Sequence, residues 1–477
     1  MKDLGHEIAD TIFIFAIDLL PGMKRIIAAL LLPLLALSCG AKGNDGGHDA
    51  GNAIPPVKVE VFPSRTVLVS SLELGTTLTH KTFNYPKNTE AVARAENLLG
   101  QAVDCIGQFT MDWGAGNTCP SKGNYNFTNL DKRVRLIRRL GKKVVLTFCR
   151  CPEWMRRDDP SKGKDAAPRV DMYDEFALMA ADFIRHFKSE GLDIYAVNVW
   201  SETRGYWSHD LGRWELEDYA VLYNKVYAAI KQANPDVLVG GPFMHIESSP
   251  KGKDMSLFDG SISSSDRKAL EAFIQNAVAL DFFSIDRNLM ENADKTPYGR
   301  NQVLSYTSFN GVVHKQLREL LEERFSDVPV WVVDNQCLKG HYPVEVEAAG
   351  LASMFRWHLL GGAAYVDKWQ PEDEGSESTD TEQIAPEGLY THTDSEDGAQ
   401  PLPSFYVFKA FRDFFPRGTR IVESVSSSEW VETLAGEHDM MLINKHGSTH
   451  NVVITVDGKE IETTLKGFEV KTIRYNE

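Results

Sequence analysis

Val197-Asn198-Val199-Trp200-Ser201-Glu202-Thr203-Arg204-Gly205-Tyr206-Trp207 is the stretch on which the fold turns. It follows a helical pattern and Gly191, and it begins as a short apolar, β-branched run, which reads as a buried strand. It ends abruptly in a carboxylate, a guanidinium and two aromatic rings. Parallel barrel strands end this way where their C-terminal tips line a reaction site. Acid-driven bond cleavage generally takes two carboxylates, so Glu202 calls for a second acid at another strand tip.

Outward from that stretch the same alternation repeats. Short apolar runs stand at 74–77, 102–109, 143–148, 197–200, 237–242, 282–286, 328–334 and 363–366. Helical patterns separate them. Leu216, Tyr219, Ala220, Tyr223, Val226, Tyr227 and Ile230 form one apolar face at helical spacing. Asn88 or Thr89 is placed to cap one helix, and Thr128 or Asn129 the next. Eight strands alternating with helices predict a (β/α)8 TIM barrel over residues 71–415. The alternative, an open doubly wound sheet, lacks a G-x-G-x-x-G after its first strand. Beyond Phe415-Pro416-Arg417-Gly418 the pattern changes to short alternating runs, which predict a small C-terminal β-sandwich over 416–477. Strands within 56–70 are expected to join it.

The N-terminus reads as a targeting segment. Met23-Lys24-Arg25 precedes an apolar run from Ile26 to Leu37, too short to span a bilayer. Leu35-Ala36-Leu37-Ser38-Cys39-Gly40 closes it, small residues before a single cysteine, as in a bacterial lipobox. Residues 1–39 are therefore expected to be an over-extended start plus a lipoprotein signal peptide, with Cys39 lipidated. Residues 40–55 are expected to be a flexible tether. This places the protein in the cell envelope, anchored by lipid to the outer membrane. A plain signal peptide or a single anchor is the alternative.

The formal charge of −16 disfavours nucleic acid and anionic lipid as partners. Ten acids and no Lys or Arg occupy 371–397, which reads as a solvated acidic loop without EF-hand order. Cys149 and Cys151 lack further ligands at metal spacing, so buried thiols are expected, with no metal and no cofactor.

Several segments together resemble one family. Trp113-Gly114-Ala115-Gly116, Tyr125, Phe127 and Leu130-Asp131 resemble the second barrel segment of clan A glycoside hydrolases, nearest to family 39 with its β-xylosidase and α-L-iduronidase type of barrel. Val199 to Trp207 is similar to the fourth-strand motif, Gly240-Gly241-Pro242 to the fifth, and Trp369-Gln370-Pro371 to the eighth. Pro329-Val330-Trp331-Val332-Val333-Asp334 stands where the family carries its nucleophile. The resemblance implies a glycosidase acting on a poly- or oligosaccharide, with Glu202 as acid/base and Asp334 as nucleophile. Two residues depart from the family pattern: Ser201 replaces an Asn and Asp334 replaces a Glu. Aspartate is shorter by roughly 1.5 Å, which is expected to widen the gap to Glu202, toward the inverting range or toward inactivity. A non-catalytic glycan-binding barrel is the alternative function.

Trp200 and Ser201 flank the acid/base and are expected to bind substrate. His80, Asp112, Arg150, Arg204 and Asp286 stand at strand ends and read equally as sugar ligands or as salt-bridge partners. Trp113, Trp154, Trp207 and Trp369 offer faces for stacking on sugars, with one or two expected to do so.

Overall fold

The computed structural model describes residues 55–159, 162–246, 260–289, 300–338, 342–373 and 385–476. The signal segment, Cys39 and the tether up to residue 54 lie outside the described residues, as does much of the acidic stretch.

The chain enters through β1 (Val57–Val69) and then builds eight parallel strands. These are β2 (Glu73–Thr77), β3 (Cys105–Phe109), β4 (Lys143–Phe148), β5 (Ala196–Val199), β6 (Leu238–His245), β7 (Phe282–Asp286), β8 (Val330–Cys337) and β9 (Ala363–Lys368). β9 pairs with β2 and β7 with β8, which closes the sheet into the expected TIM barrel. Around it lie α1 (Thr89–Ala102), α2 (Thr128–Arg139), α3 (Tyr173–Ser189), α4 (Leu216–Ala233), α5 (Ser264–Asn276), α6 (Arg300–Tyr306), α7 (Phe309–Phe325), α8 (Val344–Leu360) and α9 (Pro403–Phe414). α4 buries Leu216, Tyr219, Ala220, Tyr223, Val226 and Ile230, the stripe read from its spacing. Asn88 caps α1 through its side chain, which accepts from the Ala91 N–H at 3.0 Å. α2 differs from expectation. Phe127 is its N-cap, without a side-chain bond, and Asn126 accepts from the Thr128 N–H instead. No helix among the described residues is long and apolar enough to cross a membrane.

The barrel lumen is filled rather than hollow. Phe282 stacks on Trp331 with centroids 3.9 Å apart, and Trp331 meets Tyr365 at 4.7 Å. Glycines on neighbouring strands make that room. A Cβ on Gly75 would stand 2.1 Å from the Tyr365 hydroxyl, and one on Gly240 would stand 2.3 Å from the Phe282 ring. Each buried ring contributes about 1.5–3 kcal/mol. Side chains beyond this plug are presented at the C-terminal end of the strands.

The remaining strands form a separate seven-stranded sheet. They are β10 (Arg420–Ser426), β11 (Val431–Ala435), β12 (Asp439–Asn444), β13 (His450–Val456), β14 (Lys459–Leu465) and β15 (Val470–Arg474), together with β1. β1 lies between β13, to which it is parallel, and β10, to which it is antiparallel. Val59, Val61, Val431, Met440, Leu442 and Ile454 form its core.

A buried polar latch joins sheet and barrel. Glu432 on β11 accepts from Ser353 (2.5 Å) and Trp357 (2.9 Å) of α8, and pairs with Lys445 at 2.8 Å. Burial alone would raise the Glu432 carboxyl, but Lys445 and Arg356 hold it below the usual carboxylate range. Its folded value is depressed, so its contribution is present above the ordinary carboxylate range and fades as pH falls through the folded value. Glu432→Ala leaves Lys445 buried without its counter-charge. A loss of about 3–5 kcal/mol in denaturant unfolding at neutral pH is expected. A loss below about 1 kcal/mol would show that the latch is not structural.

Candidate active site

The strand tips carry backbone conformations that their residues rarely adopt. Asp112 and Trp113 follow β3 with φ of 56° and 32°, and Arg150 follows β4 with 56°. Trp200, Glu202 and Thr203 follow β5 with 75°, 51° and 49°, and Asp334 lies within β8 at 60°. Left-handed non-glycine residues are costly and concentrate where geometry serves function. Here they gather at the C-terminal mouth of the barrel. At Asp334 the conformation coincides with a register shift between Val332 and Asn335 in the pairing with β9.

That mouth brings three acids together. Glu202, Asp286 and Asp334 each place one carboxylate oxygen within 4.8 Å of the other two. The strained, shifted end of β8 brings one Asp334 oxygen within 4.8 Å of an oxygen of Glu202. Among the described residues this trio is also the group that could hold a metal ion.

The three acids have different surroundings. Both oxygens of Glu202 are engaged by Arg204, at 2.6 and 3.0 Å. Glu202 raises Arg204 above its ordinary value against the opposing effect of partial burial. Asp286 is 1% exposed and meets the His245 ring nitrogen at 2.8 Å, while its Oδ1 has no hydrogen-bond partner among the described residues. Burial pushes its carboxyl up, and His245 opposes this. Asp334 is 7% exposed, and its Oδ1 also has no partner. Burial first, then Asp286, Glu202 and Asp367, push it well above the usual carboxylate range.

Charged residues predicted at the strand ends form a ladder of alternating sign. Asp112 pairs with Arg150 at 2.6 Å, Arg150 with Asp165 at 3.2 Å, Asp165 with Arg204 at 3.5 Å, and Arg204 with Glu202. Arg150 also lies 4.1 Å over the Trp113 ring. Asp112, Arg150 and Arg204 all take part in salt bridges here. His80 has its Nδ1 3.7 Å from Glu372. Glu372 is fully buried and accepts from Thr82 and from the Thr393 backbone.

The aromatics divide. Trp113 and Trp369 meet edge to face at 6.1 Å at the mouth, both half-buried. Trp207 meets Trp214 at 5.2 Å in a small two-stranded ribbon after β5. Trp154 donates its indole N–H to the Cys119 carbonyl and packs on the core. Trp200 corrects an expectation. It is 1% exposed, donates to the Arg204 carbonyl at 2.7 Å and packs on Phe176, so it braces the strand end instead of facing a sugar. Ser201 is likewise 1% exposed, and its side chain lies against the Cys149 thiol. Cys105, Cys119, Cys149 and Cys151 are free and buried.

Sequence reasoning missed His245, Asp165 and Asp367. Asp367 lies in the lumen beneath the site, accepting from Tyr365 (2.7 Å) and Thr77 (3.1 Å). An acid inside the β9 strand was the available signal for it, and His245 closes β6 as Asp286 closes β7.

A closed (β/α)8 barrel with strand-tip carboxylates this close together has the architecture of a glycosidase. The chain belongs to the glycosyl hydrolases family 39, whose family model matches residues 70–347. No curated protein sequence matches it. Among solved structures it is similar to SrfJ from Salmonella typhimurium, at 13% identity and a TM-score of 0.62, covering 90% of this chain and 95% of that one. A family 39 glycoside hydrolase from the gut symbiont Bacteroides cellulosilyticus WH2 shares 15% identity at a TM-score of 0.56, covering 86% and 81% of the two chains. A monomeric β-xylosidase from Caulobacter crescentus CB15 shares 13% at 0.55, covering 88% and 97%. At these identities the likeness is one of fold.

Proposed function

We propose that the protein is a retaining glycoside hydrolase that cleaves O-glycosidic bonds of a poly- or oligosaccharide. The observation that carries this reading is the approach of Glu202 and Asp334 oxygens to within 4.8 Å at the barrel mouth. Glu202 protonates the leaving glycosidic oxygen while an Asp334 oxygen attacks the anomeric carbon and the C–O bond breaks. A glycosyl ester on Asp334 results. Glu202, now a carboxylate, takes a proton from water, and the water oxygen displaces Asp334. Glu202 begins with both oxygens held by Arg204, so proton donation requires at least one of those contacts to open. The paired mouth indoles, Trp113 and Trp369, are the stacking surfaces nearest this chemistry in the fold.

Screening a glycan and aryl-glycoside library, with the anomeric configuration of the first-formed product read by NMR, tests this. Retention of configuration is expected, and a first product of inverted configuration would overturn the double displacement. One observation favours a second reading, glycan binding without turnover. Burial and the neighbouring acids push Asp334 toward the neutral form, which is a poor nucleophile. Turnover of any glycoside rules it out.

The pattern Leu35 to Gly40 supports an envelope lipoprotein modified at Cys39. Expressed in a bacterium, the full chain should label with palmitate and the Cys39→Ala chain should not. Equal labelling would remove the anchor from the account.

A further inference from the structure

The hydrogen-bond inventory of the three-acid site is unbalanced. A glycosidase needs two carboxylates, and this mouth holds three. The donors beside them are already engaged: Arg204 holds Glu202, and His245 holds Asp286 through Oδ2. Among the described residues, Oδ1 of Asp286 and Oδ1 of Asp334 have no partner, on side chains that are 1% and 7% exposed. Ser201 adds no donor, because its side chain is buried against Cys149. A neutral sugar hydroxyl offers one proton and no charge. An ammonium group offers three protons, no acceptor and one positive charge, which is the complement of this site. A tetrahedral ammonium whose N–H bonds diverge by about 109° reaches oxygens about 2.8–3.0 Å away, so it bridges a pair up to about 4.6–4.9 Å apart, and the acids offer oxygens within 4.8 Å of one another.

We propose that the sugar at the scissile bond carries an unacylated amino group, seated between Asp286 and Asp334. The proposal rests on the glycosidase reading above and names its substrate class, an amino sugar in ammonium form. Asp334 attacks the anomeric carbon, so a group that also reaches Asp286 is carried on the adjacent ring carbon. An N-acetyl group there would bring a carbonyl acceptor against carboxylates and lose the charge. Once bound, the ammonium supplies the counter-charge that Asp334 lacks among Asp286, Glu202 and Asp367.

The test is calorimetric titration, with saturation-transfer NMR, of the full chain. The ligands are glucosamine, galactosamine and mannosamine hydrochlorides, their N-acetyl forms and the parent hexoses. At least one amine is expected to bind about tenfold or more tightly than both of its counterparts. Asp286→Asn keeps the side-chain shape, and it should abolish that preference in a chain that still unfolds cooperatively on heating. The proposal is overturned if no amine outbinds its parent sugar, or if the preference survives in Asp286→Asn. It is also overturned if calcium chloride occupies the site while the amines do not bind, which would make the trio a metal site. Amine binding without any glycoside turnover would remove the hydrolase reading and leave the amino-sugar seat. Turnover of neutral aryl glycosides with no amine preference would do the reverse.

Discussion

Glu202→Ala and Asp334→Ala are both expected to lose turnover, and azide is expected to rescue them to opposite anomers. Removing a positioned acid/base costs about 10²- to 10⁴-fold. Removing a nucleophile is expected to cost on the order of 10⁴-fold or more. The magnitudes alone do not separate the roles, but stereochemistry does. In Asp334→Ala, azide fills the vacated space and attacks the anomeric carbon once, giving a glycosyl azide of inverted configuration. In Glu202→Ala, a substrate with a good leaving group still forms the ester on Asp334. Azide then enters from the Glu202 side, and two displacements give net retention. Asp286 also lies within 4.8 Å of both residues and is the competitor. If Asp286→Ala gives the inverted azide and Asp334→Ala is not rescued, the nucleophile is Asp286.

The strands were legible because each is a short apolar run between a helix end and a polar tip, and local periodicity reports that directly. Glu202 and Asp334 were legible as strand-end acids. Their separation was not. Counting methylenes could not fix it, because side-chain length says nothing about a register shift in β8 or a left-handed residue within it. The charge ladder was illegible for a related reason. Asp112 follows β3, Arg150 and Asp165 follow β4 and Arg204 follows β5, and the packing of these three connections decides which of them meet. Trp200 misled because an indole beside a catalytic carboxylate reads as a sugar platform. Its left-handed backbone, φ 75°, accompanies a ring packed into the core. Asp367 was hidden inside an apolar strand, where a lone acid carries no periodic signature.

Asp367→Asn is expected to stabilise the protein at alkaline pH and to shift its activity profile. Burial pushes the Asp367 carboxyl from the ordinary 3.8 up to about 7, although hydroxyl donors on Tyr365 and Thr77 oppose the rise. A folded value raised above the unfolded one means that stability is fully present below about pH 4. It is lost as pH rises through 7, where the folded chain must bury a charge that the unfolded chain exposes to water. A rise of this size corresponds to about 4 kcal/mol at full ionisation, an upper figure for the gain from Asn. Denaturant unfolding of Asp367→Asn against wild type should show little difference at pH 4. The variant should gain about 2–4 kcal/mol at pH 8.5. An equal difference at both pH values would mean that packing, not charge, separates the two proteins. The same substitution reaches the site above. Asp367 is one of the acids that raise Asp334, so its neutral replacement should carry the acidic limb of kcat/KM to lower pH. A limb that moves up, or an Asp334-dependent limb that does not move while stability does, would show that the lumen charge and the site act separately. If both move together, the buried acid between the plug and the site connects the barrel's pH-dependent stability to the ionisation of its nucleophile.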